Sequence, residues 1–135
     1  MEKKFIVENR IEELPLLFSK IEELGEMWNL SLPLTMNINL VLEEAVSNVI
    51  FYAFNDEKRH EIIILVSLEN EVLKIEIIDD GLPFDPTNRQ MPDVTLSAED
   101  REIGGLGIYL IKQIMDTVEY ARVDNNNILT LTKKI

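Results

Sequence analysis

Three short stretches carry side chains whose types and spacing could do chemistry. In LEEAVSNVIFYAF, Glu44, Asn48 and Tyr52 recur every four residues, so on a helix they share one face. A carboxylate and a carboxamide one turn apart can orient a water or hydroxyl. They can also hold Mg²⁺, which takes oxygen ligands and keeps several waters. The same spacing describes a solvated polar stripe on a surface helix. The second stretch is Asp79-Asp80-Gly81-Leu82-Pro83-Phe84-Asp85. A carboxylate at the end of a buried strand can accept from the exocyclic amine of adenine, and a following glycine lets a base approach the backbone. Asp-Gly is equally an ordinary turn signal. The third stretch, Gly104-Gly105-Leu106-Gly107, opens a helical pattern. Free N–H groups at a helix start attract phosphate, although no P-loop lysine follows and a hinge has the same composition.

These residues need elements to position them. Phe5, Ile6 and Val7 form a short apolar run that reads as an edge strand. From Glu12 to about Trp28 the apolar residues recur at three- and four-residue steps, the period of an amphipathic helix. Pro15 suits its first turn. SLPLT breaks the pattern, and a second helix is expected from about Thr35 to Phe54. His60 to Leu68 and Val72 to Ile78 are strand-like, with only Glu69, Asn70 and Glu71 between them, which predicts a hairpin. Residues 82–103 hold Pro83, Pro86 and Pro92 and have no period; a loop this long is usually functional or mobile. After the glycines, Ile108, Ile111, Ile114, Met115 and Val118 predict a third helix. The chain closes with a second hairpin, strands about Val118–Val123 and Ile128–Thr132, turning on Asp124 to Asn127. Metal, base and phosphate ligands thus occur once each in chain order. The element order implies an α+β two-layer sandwich: a mixed, mostly antiparallel sheet with three helices on one face.

Composition narrows the function classes. The 135 residues fit one domain, residues 1–135, and 46% hydrophobic with 28% charged is a globular mix. Thirteen Lys and Arg against 25 Asp and Glu leave a net charge of −12. Such a surface repels nucleic acid and anionic lipid. There is no cysteine, which excludes a disulfide framework, a thiolate metal site and a cysteine nucleophile. The single histidine, His60, excludes a histidine-rich zinc centre. It begins a strand without a motif partner and reads as a surface residue. No apolar run approaches the roughly 20 residues of a membrane span, and the first ten residues lack a signal-peptide core. A soluble, cytoplasmic domain is expected.

Taken together, EEAVSNVIFYAF, IIDDGLPFDP, GGLGIYLIKQIMD and NILTLTKKI resemble the GHKL ATPase/kinase superfamily, with its Bergerat or histidine-kinase-type ATP-binding fold. Within it the chain is similar to the stand-alone anti-sigma-factor serine/threonine kinases, over nearly its whole length. The resemblance implies roles residue by residue. Glu44 matches the catalytic acidic residue that acts as general base or orients the nucleophile. Asn48 matches the Mg²⁺ ligand, Asp79 the adenine-reading aspartate and Gly81 the glycine beside it. Pro83 stands where many relatives carry a second glycine, and Tyr52 where many carry histidine. Gly105 and Gly107 match the phosphate-binding glycines, in one nucleotide-contacting turn with Gly104 and Leu106. Residues 82–103 correspond to the ATP lid, with Arg89 and Arg101 as candidates for phosphate contact. The implied activity is ATP- and Mg²⁺-dependent phosphorylation of a small antagonist protein, with sequestration of a sigma factor. The alternatives are a non-catalytic ATP-binding regulatory module and a slow ATPase without protein substrate. A homodimer, with the first strand as an edge for pairing, is a further implication.

Overall fold

The computed structural model describes residues 1–88 and 105–135. Five strands form one sheet: β1 (Glu2–Glu8), β2 (Glu61–Glu69), β3 (Val72–Asp79), β4 (Thr117–Val123) and β5 (Asn126–Lys134). Their spatial order is β1-β2-β3-β5-β4. The mixed, mostly antiparallel sheet expected resolves to antiparallel pairing throughout the described residues. Three helices, α1 (Leu14–Met27), α2 (Leu32–Tyr52) and α3 (Gly105–Ile114), cover one face.

Both hairpins close on two residues in the left-handed region. Asn70 and Glu71 have φ of 53° and 63°, and Asp124 and Asn125 have 50° and 67°. Paired positive φ matches the twist of the flanking strands, so such turns are short and set the register. The second turn is therefore shorter than the Asp124–Asn127 run suggested. Asn126 and Asn127 join β5, and Asn127 lies opposite Asp79 of β3.

Alternation along the strands selects the covered face. Ile62, Ile64 and Val66 of β2 and Leu73, Ile75 and Ile77 of β3 are buried. They meet Leu17 and Ile21 of α1 and Leu42 and Val46 of α2 in one core. Each such side chain removed from water contributes about 1.5–3 kcal/mol before entropy is counted. Pro15 sits in the first turn of α1 as expected. α2 starts earlier than Thr35: Ser31 caps it by accepting from the Leu34 N–H at 3.3 Å, and Pro33 occupies the first turn. SLPLT is thus a helix start rather than a break. α3 ends at Ile114, so Val118 belongs to β4 and not to the helix.

Candidate functional site

The polar face of α2 turns toward the sheet end where β3 stops. Asn48 is 7% exposed and Asp79 only 3%. Both line one cleft, with apolar walls from Ala45, Val49, Ile77, Ile111 and Leu129 and a rim at Phe84. A solvated surface stripe does not describe this face. Tyr52, one turn beyond Asn48, is not in the cleft wall; its ring stacks on Phe84 at 5.7 Å and 25°. It steadies the rim. The Asn48 carboxamide has no hydrogen-bond partner among the described residues. An amide oxygen that faces a cleft without a protein donor is available to a bound group.

Asp79 is held on one oxygen and free on the other. Its Oδ1 accepts from the Gly81 N–H at 2.9 Å and from Asn127 Nδ2 at 3.0 Å. Oδ2 has no partner among the described residues. Burial raises the Asp79 pKa above the ordinary aspartate value, only partly offset by the hydrogen bonds from Asn127 and Gly81. A buried carboxylate with one spare acceptor, between apolar walls, suits a flat apolar ring that carries an N–H₂ donor. Packing by itself requires a glycine at position 81. A Cβ there would run into the carbonyl and side chain of Ala53, just past the end of α2. The Leu82 N–H donates to the same carbonyl at 2.7 Å. The glycine lets β3 cross the helix end closely.

Asn127 is the residue that sequence reasoning missed. Its Nδ2 donates to Asp79 and to the Leu82 carbonyl at 2.8 Å. Its Oδ1 accepts from Tyr120 Oη at 2.5 Å, Arg122 Nη1 at 3.1 Å and the Phe84 N–H at 3.3 Å. Arg122 also donates to the Gly81 carbonyl at 2.7 Å. One carboxamide thus ties the aspartate to the loop that rims the cleft. The signal was the two-residue turn: once Asp124-Asn125 suffices, Asn127 is a strand residue facing inward.

Glu44 is not among the residues that line this cleft; it lies one turn before Asn48 on α2, against the first turn of α3. A Cβ on Gly107 would sit 2.5 Å from Glu44 Oε2. The glycine makes room for the carboxylate. The Glu44 pKa is raised, first by burial and then by the neighbouring Glu43 charge. No described residue pairs with its side chain. Gly105 begins α3, so the glycine run does lead into a helix start beside Glu44.

The other candidates separate from this cluster. Arg89, Arg101, Gly104 and most of the expected 82–103 lid lie outside the described residues, as does the Leu106 side chain. Pro83 is exposed and is not part of the cleft wall. His60, expected at the surface without a motif partner, has side-chain partners there. Its Nε2 meets Asp56 Oδ1 at 2.7 Å, its Nδ1 meets Asp80 Oδ1 at 3.2 Å, and its ring stacks on Phe54. The hydrogen bond to Asp56 is the main reason its pKa is raised.

The chain resembles known proteins in sequence and in fold. Residues 7–133 match the histidine kinase-like ATPase domain family. The chain is 30% identical over 109 residues to the serine/threonine-protein kinase BtrW of Bordetella bronchiseptica, covering 81% of this chain and 75% of that protein. It is 32% identical over 87 residues to the serine-protein kinase RsbW of Listeria monocytogenes, 62% of this chain and 55% of the relative. The anti-sigma F factor of Oceanobacillus iheyensis is 29% identical over 82 residues, 61% and 56% of the two chains. The matches to these last two span about half their length. Among solved structures, the histidine kinase domain of the Erythrobacter litoralis EL346 blue-light activated histidine kinase superposes with a TM-score of 0.56 over 91% of this chain and 59% of that one. At 15% identity that likeness concerns the fold. With the family match running from Val7 to Lys133 and the same α+β fold beneath it, the chain belongs to the histidine kinase-like ATPase domain family.

Proposed function

We propose that this protein binds ATP with Mg²⁺ and transfers the γ-phosphoryl group to a serine or threonine of a small antagonist protein, otherwise holding a sigma factor. The observation that carries this reading is the single cleft shared by Asn48 and Asp79, with the Glu44 carboxylate one turn away on α2 beside Gly107 and unpaired among the described residues. The names of the relatives support it: two are protein kinases and one is an anti-sigma factor. Asp79 Oδ2 would accept from the adenine amine. Phe84 and the aliphatic wall cover the base. Asn48 would be the side chain that holds Mg²⁺; no group of three acidic or histidine side chains placed to hold a metal ion exists among the described residues. One side-chain oxygen fits a cation that completes its shell with phosphate oxygens and water. Bound MgATP supplies the phosphoryl group and a metal that neutralises charge on the phosphates.

Glu44 takes the proton that the acceptor hydroxyl gives up as its oxygen bonds to phosphorus and the bond to the ADP oxygen breaks. Burial keeps its pKa above the ordinary glutamate value, which makes it a stronger proton acceptor. The α3 start lies beside Glu44, and its free N–H groups would stabilise phosphate charge. Arg89 and Arg101 are the proposed lid contacts to phosphate.

The test is transfer of labelled γ-phosphate to any small antagonist-like protein encoded beside this gene. Label on a serine or threonine of that protein is expected. ATP bound without any label in the partner would favour the regulatory module. ATP hydrolysed at the same rate with and without the partner would favour the ATPase.

A further inference from the structure

His60 stands between two carboxylates. Its Nε2 lies 2.7 Å from Asp56 Oδ1, and its Nδ1 lies 3.2 Å from Asp80 Oδ1. A carboxylate only accepts hydrogen bonds, and a neutral imidazole has a single N–H. Both contacts together therefore require the charged ring, with a proton on each nitrogen. The hydrogen bond to Asp56 is the first cause that raises the ring's pKa, and Asp80 adds to it. When the ring gives up a proton, the shorter contact keeps its N–H. The bare Nδ1 then faces the Asp80 carboxylate, an acceptor against an acceptor, and the Asp80 contact is lost.

The ring is mounted on fixed backbone. Phe54 stacks on it at 4.3 Å and 14°. Asn9 Oδ1 accepts from the His60 N–H at 2.9 Å, and the Asn9 N–H donates to the His60 carbonyl at 3.1 Å. Breaking the contact thus moves Asp80 rather than the imidazole. Among the described residues His60 is the only ion-pair partner of Asp80. The other charged side chains around the ring are Arg59, Glu61 and Asp79, with Lys58 acting on Asp56. Arg59 is held by Glu8 of β1 at 3.1 Å, Glu61 stands across from Glu8 in the β1–β2 register, and Asp79 Oδ1 is bound by Gly81 and Asn127. Asp80 in turn belongs to the segment that presents Asp79. The connection from α2 to β2 grips that segment twice: the Ala53 carbonyl accepts from the Leu82 N–H at 2.7 Å, and His60 holds Asp80. The Asp79 pKa, raised first by burial, is raised further by the Asp80 charge. An Asp80 without its imidazolium therefore disfavours the ionised Asp79.

We propose that His60 is a proton-sensing positioning residue for the nucleotide site: the charged ring clamps Asp80 and with it the turn that carries Asp79, and loss of its proton opens the clamp and weakens nucleotide binding. This rests on the reading of Asp79 as the acceptor for adenine. The sign follows from the two contacts. The clamp is complete below the ordinary histidine range and is lost as pH rises through the raised value. Nucleotide affinity falls over the same interval. Coupling between two sites is reciprocal, so a nucleotide that binds the clamped form more tightly also makes His60 hold its proton more tightly, by the same factor.

The chain has one histidine, so its ring Cε1–H is assigned in a proton NMR spectrum without any variant. The experiment titrates that signal with pH in the free chain and in the chain saturated with MgADP, which carries the base and is not turned over. A fivefold coupling, about the lower end for linked sites, raises the His60 midpoint by about 0.7 of a pH unit when MgADP is bound. Calorimetry should show MgADP affinity falling by the same factor as pH rises through the midpoint. His60→Gln, which never carries the charge, should bind at the wild-type high-pH level throughout. Should that variant fail to fold, the wild-type titration decides by itself. Asp80→Asn separates the clamp from the plain field of a bound anion: the His60 midpoint should fall in the free variant, and MgADP should no longer move it. An unchanged midpoint in the MgADP-bound wild-type chain, or an equal shift in Asp80→Asn, would overturn the proposal and leave the nucleotide site standing. MgADP that binds at no pH would remove the adenine reading and this inference together.

Discussion

At the scale of single residues, Asp79 is a charge that the empty fold tolerates rather than wants. Its pKa is raised by burial, so the folded chain holds that proton more tightly than the unfolded chain. Relative to a neutral isostere, the ionised form costs stability as pH rises from the ordinary aspartate range through the raised value; below both values the cost vanishes. Asp79→Asn keeps an oxygen to accept from Gly81 and Asn127. Its melting temperature should match or exceed wild type at neutral pH, and the gap should close as pH falls below the normal carboxylate range. Thermal melts across pH measure this. Nucleotide affinity should move the other way, falling at least about tenfold, since losing a buried hydrogen bond costs about 1–3 kcal/mol. Glu44→Gln keeps the size of the side chain but cannot take a proton. Phosphoryl transfer should drop by about 10²–10⁴ while calorimetry finds ATP binding within a few-fold of wild type. That Glu44 and Asn48 share a helix and that Asp79 ends a strand was legible in the sequence, because helical spacing and strand alternation announce both. Asn127 was not, because an Asp-Asn-Asn-Asn run reads as a turn until the register shows which two residues make it.

Elements explain why those side chains converge. α2 presents Glu44 and Asn48 on one face, β3 ends at Asp79, and α3 starts beside Glu44 at Gly107. Gly107→Ala separates the two roles of that contact. The added methyl would meet the far end of a flexible side chain, 2.5 Å from Glu44 Oε2, so the fold absorbs it by moving the carboxylate. Stability should stay level or rise, since alanine is favoured over glycine inside a helix by up to about 1 kcal/mol. Phosphoryl transfer should fall clearly, because the displaced carboxylate no longer meets the hydroxyl. A melt and a transfer assay on the same preparation check this. A variant that transfers phosphate normally would remove Gly107 from the site. The element types and their order were readable from period alone. Their ends were not: Ser31 caps α2 within a stretch that looked like a break, and Val118 fits the helical period of α3 but pairs with Leu131 in the sheet. Caps and cross-strand pairing decide such boundaries, and neither is a property of one segment.

At the scale of the whole molecule, the proposed function asks a chain of net charge −12 to accept a polyanion. Long-range repulsion slows encounter, and salt screens it: the Debye length falls from about 30 Å at 0.01 M to about 8 Å at 0.15 M. The association rate of MgATP should therefore rise with ionic strength over that range, the reverse of a steered cationic site, as stopped-flow fluorescence would record. The sandwich was legible because apolar alternation in the strands and apolar period in the helices demand one shared core, which the buried residues of α1, α2, β2 and β3 form. Register was beyond reach, and with it the inward placement of Asn127. The central claim is that the Asp79 cleft reads adenine. Titration calorimetry of the wild-type chain with ATP and with GTP, in Mg²⁺ at neutral pH, tests it most directly. GTP presents a carbonyl oxygen where ATP presents an amine, so ATP should bind at least about tenfold more tightly, and Asp79→Asn should erase most of that preference. Equal affinity for the two nucleotides in the wild-type chain would contradict it.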